Sequence, residues 1–155
     1  MQCPCQSQKS YENCCKPLHL IEQVARSPEQ LMRSRYSAYA LTNALYIFNT
    51  YHSSKRQSIS VDELDEWARA TTWLKLEINA TSQDTVTFTA TYVEAGQLFE
   101  IQELSRFSIE ANEWRYVDGD ILKHNALPKP KRNEKCPCGS LKKLKQCCGV
   151  KSNLI

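Results

Sequence analysis

All cysteines of the chain lie in two short segments near its ends, and their spacing is the same in both segments. The sequence holds eight cysteines, and each group of four has the spacing C-x-C-x8-C-C. Each group also has a proline inside the C-x-C and a serine two residues after its second cysteine. The two groups therefore form an internal duplication. The first box comprises Cys3, Cys5, Cys14 and Cys15, and the second box comprises Cys136, Cys138, Cys147 and Cys148.

Four cysteine sulfurs in so short a segment are a ligand set for one metal ion. A structural zinc site takes four ligands in a tetrahedron, with each cysteine sulfur roughly 2.3 Å from the metal. The sequence therefore predicts one zinc site in each box and two zinc ions per chain. The cysteines within each close pair cannot form a relaxed disulfide, so any disulfides would have to join different pairs. Disulfides, an iron–sulfur centre and redox-active thiols are the alternatives.

The second box resembles the SEC-C motif, which is named for the C-terminal tail of the translocase ATPase SecA. The resemblance covers residues 136–149 and departs from the motif at Leu141, where glycine is usual. The first box resembles a degenerate copy, because Gln6 and Gln8 replace both glycines of the motif. Since glycine adopts left-handed backbone angles without strain, we expect these differences to affect the turn more than the metal ligands. In SecA the motif contacts an acidic chaperone surface, so the resemblance implies a chaperone, translocation or translation partner.

The sequence predicts helices after the first box. Residues 18–25 predict a short helix, and Ser27 is a candidate N-cap for the next one. Apolar residues then recur at helical spacing to about His52, which predicts one long helix. A hydroxyl followed three residues later by an acid at 60–63 is the pattern of a capping box, and it predicts a second helix that ends near Ala70.

The remainder of the middle region has the period-two pattern of β-strands. Apolar residues alternate from residue 74 to residue 116 in four groups, which predicts four strands. Short turns at 94–97 and 110–113 imply that the last three strands form an antiparallel meander. Residues 118–120 read Asp-Gly-Asp and predict a turn that closes the last strand. Helices followed by strands imply an α+β domain in which a curved antiparallel sheet packs on the helices.

Three segments of the middle region carry a second resemblance. They are Leu31–Tyr39, Ser105–Phe107 and Trp114–Gly119, and they lie between the two boxes. In this arrangement the chain resembles the YchJ-like family of small bacterial proteins over nearly its whole length. The resemblance implies a central cone of the nuclear-transport-factor-2-like (cystatin-like) type, without a defined biochemical role. We divide the chain into a first zinc knuckle at 1–17, the cone at 18–122, a basic proline-rich linker at 123–132 and a second zinc knuckle at 133–150.

Charge is distributed unevenly along the chain. Residues 123–155 hold nine basic residues and one acidic residue, a net charge of +8, whereas residues 1–122 have a net charge of −5. This asymmetry is typical of a segment that meets an anionic partner, either nucleic acid or an acidic protein surface. Zinc bound by four thiolates carries a formal charge of about −2, so the lysines of the second box also fit local compensation. The lysines of this candidate partner surface are Lys142, Lys143 and Lys145.

One acidic residue falls on an apolar strand face. Alternation in the third strand places Glu103 on the same face as the apolar residues around it. Because a buried unpaired charge is costly, Glu103 is either neutral or paired with Arg33 or Arg35 of the long helix. These arginines are about 200° apart around a helix, so at most one faces the sheet. The alternatives are a buried ion pair, a pocket acid or base, and an exposed Glu103 after a β-bulge.

Composition limits the classes of function. No stretch approaches the roughly 20 apolar residues of a membrane span, and the N-terminus has no signal-peptide pattern, so we expect a cytoplasmic protein without a membrane role. The first hypothesis is a non-enzymatic adaptor that presents zinc knuckles to a protein partner. The second is an enzyme or small-molecule binder that uses the cone cavity, and the third is a nucleic-acid-binding module that uses the basic tail. The sequence assigns no catalytic residue and leaves the oligomeric state open.

Overall fold

A computed structural model of the chain describes residues 1–150. Five α-helices precede four β-strands, and short 3-10 helices lie within both cysteine boxes. None of the helices in residues 1–150 combines the length and the hydrophobicity that crossing a membrane would require. The helices are α1 (Lys16–His19), α2 (Pro28–Ala40), α3 (Ala44–Asn49), α4 (Ser53–Arg56) and α5 (Val61–Ala70).

The predicted long helix is wrong, because the chain turns after Ala40. Thr42 adopts a left-handed φ of 55°, which an α-helix cannot contain. Asn43 then caps the next helix, since its side chain accepts a hydrogen bond from the backbone N–H of Tyr46. The predicted region is therefore divided into α2 and α3, and α4 begins just after it. The short helix predicted over 18–25 is also displaced, because α1 covers Lys16–His19.

Two predicted helix starts are confirmed by their caps. Ser27 accepts a hydrogen bond from the backbone N–H of Gln30 at 3.1 Å, and Pro28 occupies the first helical position. At α5 the side chains of Ser60 and Glu63 each accept a bond from the other residue's backbone N–H, which is a complete capping box. Both helix starts are thus fixed by local hydrogen bonds.

The four predicted strands form one antiparallel sheet in the order β1-β2-β3-β4. The turns at 94–97 and 110–113 are confirmed. The turn predicted at 118–120 is wrong, since these residues pair with β3 and the last strand continues to Leu127, five residues into the segment that we assigned to the linker. The strands are β1 (Thr71–Thr81), β2 (Thr85–Glu94), β3 (Gln97–Glu110) and β4 (Glu113–Leu127).

Helix α2 lies between two hydrophobic clusters and joins the helices to the sheet. On one side Leu31 and Tyr36 pack with Val86 and Phe107 of the sheet. On the other side Ala38 packs with residues of α1, α3 and α5. Burying an apolar side chain contributes about 1.5–3 kcal/mol relative to leaving it exposed, so α2 contributes to stability through both clusters. The same helix also carries both arginines singled out in the sequence.

Candidate metal centres

Each cysteine box brings its four sulfur atoms together. Within each box the four Sγ atoms all lie within 4.8 Å of one another, and all eight cysteines are free. Neighbouring Sγ atoms are 3.6 Å apart for Cys5 and Cys14 and 3.4 Å apart for Cys138 and Cys147. A tetrahedral site with sulfurs roughly 2.3 Å from a metal has sulfur–sulfur distances of roughly 3.8 Å. The two four-cysteine clusters could therefore each hold a metal ion.

The backbone of the second box repeats that of the first with an offset of 133 residues. The N–H of Cys3 donates to the carbonyl of Lys9 at 2.9 Å, and the N–H of Cys136 donates to the carbonyl of Lys142 at 2.8 Å. The serine predicted at the same place in both boxes contacts the third cysteine sulfur, with Oγ–Sγ distances of 3.1 Å for Ser7 and 3.2 Å for Ser140. The repeated spacing thus encodes a repeated structure.

The turns keep their left-handed geometry where glycine is absent. In the first box φ is 58° at Gln6 and 65° at Gln8, and in the second box φ is 81° at Gly139 and 66° at Leu141. A residue with a Cβ atom in this region costs roughly 1–2 kcal/mol relative to right-handed angles. The missing glycines therefore leave the path of the turn unchanged and are expected to add strain to it.

The first box packs on helix α2 through a buried serine that the sequence analysis missed. The hydroxyl of Ser37 donates to Cys15 Sγ at 3.4 Å and lies 3.5 Å from Cys3 Sγ. Ser37 is completely buried, and the first, second and fourth cysteines of the box are buried with it. One turn earlier in α2, Arg33 donates to the carbonyl of Cys5 at 2.8 Å. Arg33 and Ser37 are four residues apart, so they lie on one face of α2. This spacing was the sequence signal that could have indicated a polar face of α2 against the first box.

Both boxes meet the start of β1 at an irregularity of the sheet. The pairing of β1 with β2 shifts between Trp73 and Lys75. The carbonyl of Leu74, which lies at this bulge, accepts a hydrogen bond of 2.9 Å from the Gln6 side chain of the first box. The Leu74 side chain packs in a cluster that includes Cys138 and Cys148 of the second box. One bulged residue therefore contacts both boxes.

The second box is more exposed than the first and carries more positive charge. Only Cys136 of its cysteines is buried. The hydrogen bond from Ser140 lowers the pKa of Cys147 to about 7, which favours the thiolate that binds metal, whereas burial raises the pKa of Cys14, its counterpart in the first box. The three lysines of the candidate partner surface are exposed. Lys151, the last basic residue of the tail, lies outside the described residues.

The predicted ion pair of Glu103 does not form. Within residues 1–150 no salt bridge joins its carboxylate to either arginine. Glu103 Oε1 instead accepts hydrogen bonds from Ser105 Oγ at 2.9 Å and Tyr116 Oη at 2.7 Å. Burial, followed by the Glu103 charge, raises the pKa of Tyr116, so its hydroxyl stays protonated and donates. Gly119 on β4 leaves room for this carboxylate, because a Cβ there would collide with Oε1.

The two arginines of α2 face different sites, as their angular separation predicts. Arg33 faces the first box and pairs with Glu29 at 3.0 Å. Arg35 lies between the rings of Tyr51 and Tyr116, with its guanidinium carbon 4.4 and 4.6 Å from the ring centroids, and it donates to the carbonyl of Ile47 at 2.8 Å. Arg35 and Glu103 line one cavity of about 140 Å³ between helices and sheet. Glu103 thus bonds to two hydroxyls, and Arg35 contacts two aromatic rings and a carbonyl, so the expected ion pair between them is absent.

Comparison with known families matches the two parts of the chain described above. The family model described as the YchJ middle NTF2-like domain matches residues 27–119. The SEC-C motif matches residues 132–149. The first match covers α2 to α5 and most of the sheet, and the second covers the second box. The fold is therefore an NTF2-like α+β domain with a cysteine cluster at each end.

Similar proteins occur in several bacteria. A UPF0225 protein of Vibrio cholerae is 41% identical over 96% of this chain and 100% of its own length. The UPF0225 protein YchJ of Shigella dysenteriae is 40% identical over 95% of this chain and 97% of its own. The solution structure of a SEC-C motif-containing protein from Rhodopseudomonas palustris has a TM-score of 0.72 and 33% identity, covering 79% of this chain and 100% of that one. The crystal structure of a SEC-C motif-containing protein from Psychrobacter arcticus has a TM-score of 0.66 and 31% identity, covering 96% and 95%. The chain belongs to the YchJ family, also called UPF0225.

Proposed function

We propose that this chain is a zinc-binding adaptor whose second box presents a basic surface to an acidic protein partner. Two zinc ions, one in each box, hold the cysteine clusters in their turns. The observation that carries the proposal is the contrast in charge between two boxes of the same backbone structure. The lysines at 142, 143 and 145 correspond to Lys9, Ser10 and Glu12 of the first box, which sum to no net charge.

The choice of zinc follows from the chemistry of the donors. Four thiolates in a tetrahedron favour zinc or an iron–sulfur centre among biological metals, and zinc needs no further bridging atoms. Sulfur–sulfur distances near 3.5 Å fit a single ion at the centre of each box. Elemental analysis of the purified chain is expected to give two zinc ions per chain. One ion per chain, with the four cysteines of the first box freely alkylated, would contradict the proposal for that box.

Charge compensation alone does not explain the three lysines. A zinc ion with four thiolates has the same formal charge in both boxes, of about −2, so the demand for nearby cations is equal. The first box has one exposed lysine, Lys9, and its Arg33 is already paired with Glu29. The larger number of exposed lysines in the second box therefore favours a role toward solvent. An acidic protein surface is complementary to such a cluster.

The test is a pull-down from bacterial lysate with a charge-reversed second box. Lys142→Glu combined with Lys143→Glu is expected to lose the partner, whereas Lys9→Glu, the matched change in the first box, keeps it. Zinc content is measured for each variant, because zinc loss with an unchanged partner would show that the lysines serve only the metal. Retention of the partner by the double variant would overturn the proposal.

Nucleic acid is the second candidate, because the same lysines are exposed. A basic cluster that neutralises phosphates gives binding that falls steeply with salt concentration. The pull-down is therefore repeated after nuclease treatment and at two salt concentrations. Loss of the captured material after nuclease treatment would assign the second box to nucleic acid. Recovery of the same protein partner after nuclease treatment supports the adaptor.

A further inference from the structure

The cavity between the helices and the sheet has the size and lining of a binding site for one small ring. Its volume is about 140 Å³, and eight of its thirteen lining residues are aromatic. An apolar cavity of about 150 Å³ in a protein core accommodates benzene. Helices α2 and α5 supply one wall, and all four strands supply the other. Neither cysteine box lines this cavity, so its chemistry is separate from the metal centres.

The aromatic lining is arranged around Trp73 of β1. Its ring centroid is 5.7 Å from that of Tyr36, 5.1 Å from that of Tyr92 and 6.0 Å from that of Trp67. Trp67 is 47% exposed, so it lies where the cavity meets solvent. Rings at such distances contact one another, and the surface that they present to the cavity favours stacked or edge-on contact with a further flat ring.

One carboxylate oxygen at the cavity has hydrogen-bonding capacity that no described residue uses. Glu103 Oε1 accepts two hydrogen bonds, whereas within residues 1–150 no donor contacts its Oε2. Glu103 is only partly buried, and its Oε2 is not a fully buried atom, so a ligand can reach it. A carboxylate oxygen is an acceptor, so this atom suits a ligand that carries a donor. The indole Nε1 of Trp73 also lacks a partner among the described residues, but it is covered by protein and cannot be reached from the cavity.

The charges of the lining exclude a strongly charged ligand. Glu103 and Arg35 both line the cavity without forming a salt bridge, so they leave it with no net charge. Arg35 is satisfied by two rings, a carbonyl and the hydroxyl of Thr50 at 2.6 Å. A ligand cation would be attracted by Glu103 and repelled by Arg35, and an anion would meet the reverse. An uncharged ligand meets neither penalty.

We propose that this cavity binds a small, uncharged, planar heterocycle of the nucleobase type. A ring N–H donates to Glu103, and the ring faces pack on the aromatic lining. The site goes beyond the adaptor role of the second box and does not depend on it. Gly119 leaves room for the carboxylate, because a side chain there would collide with it.

The test uses uracil as the probe and the zinc-loaded full chain. Nuclear magnetic resonance follows the indole N–H signals of Trp73 and Trp114, of which only the first lines this cavity. Uracil is expected to shift the Trp73 signal saturably and to leave the Trp114 signal unchanged. 1,3-Dimethyluracil, which lacks N–H donors, is expected to bind at least tenfold more weakly. Equal binding of the two rings, or no saturable shift with uracil, would overturn the proposal.

Variants test the role of the carboxylate. Glu103→Gln is expected to weaken uracil binding at least tenfold, whereas Glu100→Gln, on the same strand but on the opposite face, leaves it unchanged. Gly119→Ala should weaken binding as well, because it displaces the Glu103 side chain. Tighter binding of tetramethylammonium or benzoate than of uracil would show a charged ligand and contradict the charge argument. The comparison of uracil with its dimethyl derivative decides the question even if a variant fails to fold.

Discussion

The two cysteine boxes have one backbone structure and two different surroundings. In the first box, two cysteine sulfurs contact the buried hydroxyl of Ser37, and Arg33 bonds to the box backbone. In the second box, three of the four cysteines are partly exposed, and three exposed lysines lie between its second and third cysteines in the sequence. A duplicated ligand set has thus been placed once against the core and once at the surface. The spacing of the cysteines thus determines the geometry of each cluster, whereas the neighbouring residues determine what the cluster contributes to the protein.

The largest expected difference between the boxes is in the stability of the central domain. Cys15→Ala removes a buried ligand that contacts Ser37 of α2, and loss of a structural metal site is expected to cost roughly 4 kcal/mol or more of the free energy of unfolding. Cys148→Ala, the corresponding change in the second box, should release its metal with a much smaller effect on that free energy. Urea unfolding followed by far-ultraviolet circular dichroism measures both variants. Equal losses would show that the second box supports the core as strongly as the first.

Ser37 provides a finer test of the same contrast. Ser37→Ala removes a buried hydroxyl between two sulfurs and is expected to cost about 1–3 kcal/mol of the free energy of unfolding. It should also weaken metal retention in the first box about 10–100-fold, as loss of a group that bonds to a metal ligand does. The measurement is the rate at which a chromogenic chelator takes up metal. The second box should keep its own release rate.

Ser34→Ala is the matched control for Ser37→Ala. Ser34 lies on the same helix and is also completely buried, but its hydroxyl bonds to Tyr46 and to the carbonyl of Leu31. It should lose a similar free energy of unfolding and leave metal release unchanged. Faster metal release in both variants would assign the effect to general loosening of α2.

The dependence of stability on pH tests the attachment of the first box at His19. This side chain lies between Tyr11 of the first box, 2.8 Å from its Nδ1, and the carbonyl of Ser34, 2.9 Å from its Nε2. Burial lowers the pKa of His19 below its ordinary value of 6.5, so the unfolded chain binds a proton before the folded chain does. Its contribution to stability is therefore present above pH 6.5 and lost as pH falls toward the folded pKa, with a slope of at most about 1.4 kcal/mol per pH unit.

Urea titrations at pH 7.5, 6.5 and 5.5 measure this slope. The difference between the wild-type chain and His19→Gln at each pH removes the contribution of metal release, which both share. That difference is expected to shrink as pH falls. A difference that stays constant over this range would show that His19 titrates equally in both states and that the contact with Tyr11 is weak.

Local chemistry explains which features of the fold were predictable. The capping box at Ser60, the tight turns between the last strands and the repeated cysteine spacing each depend on a few neighbouring residues, and the structure confirms them. The break after Ala40 was missed because Thr42 gives no glycine or proline signal, and only Asn43 marks a new helix start. The end of β4 was missed because its last residues are mostly exposed and do not alternate.

The surroundings of the sites depend on tertiary contacts and were less predictable. Alternation placed Glu103 on the inner face, but its hydroxyl partners come from a neighbouring residue and from β4. The separation of Arg33 and Arg35 around the helix was predicted, whereas the groups that each one meets were not. Partners that lie far apart in the sequence leave no local pattern to read.

The smallest expected effect concerns the left-handed turns, and it compares the boxes residue by residue. Leu141 has a φ of 66° and is 78% exposed, so Leu141→Gly relieves strain without removing buried contacts. Relief of roughly 1–2 kcal/mol, less the entropy that glycine loses on folding, about 0.5–1 kcal/mol, leaves a gain of less than about 1.5 kcal/mol for the folded box. Gln8→Gly should give a similar gain in the first box. Gln6→Gly should not, since it also removes the hydrogen bond to Leu74. Chelator competition measures the rate of metal release for all three variants. Slower release in Gln6→Gly would show that this contact to β1 contributes little to holding the first box on the domain.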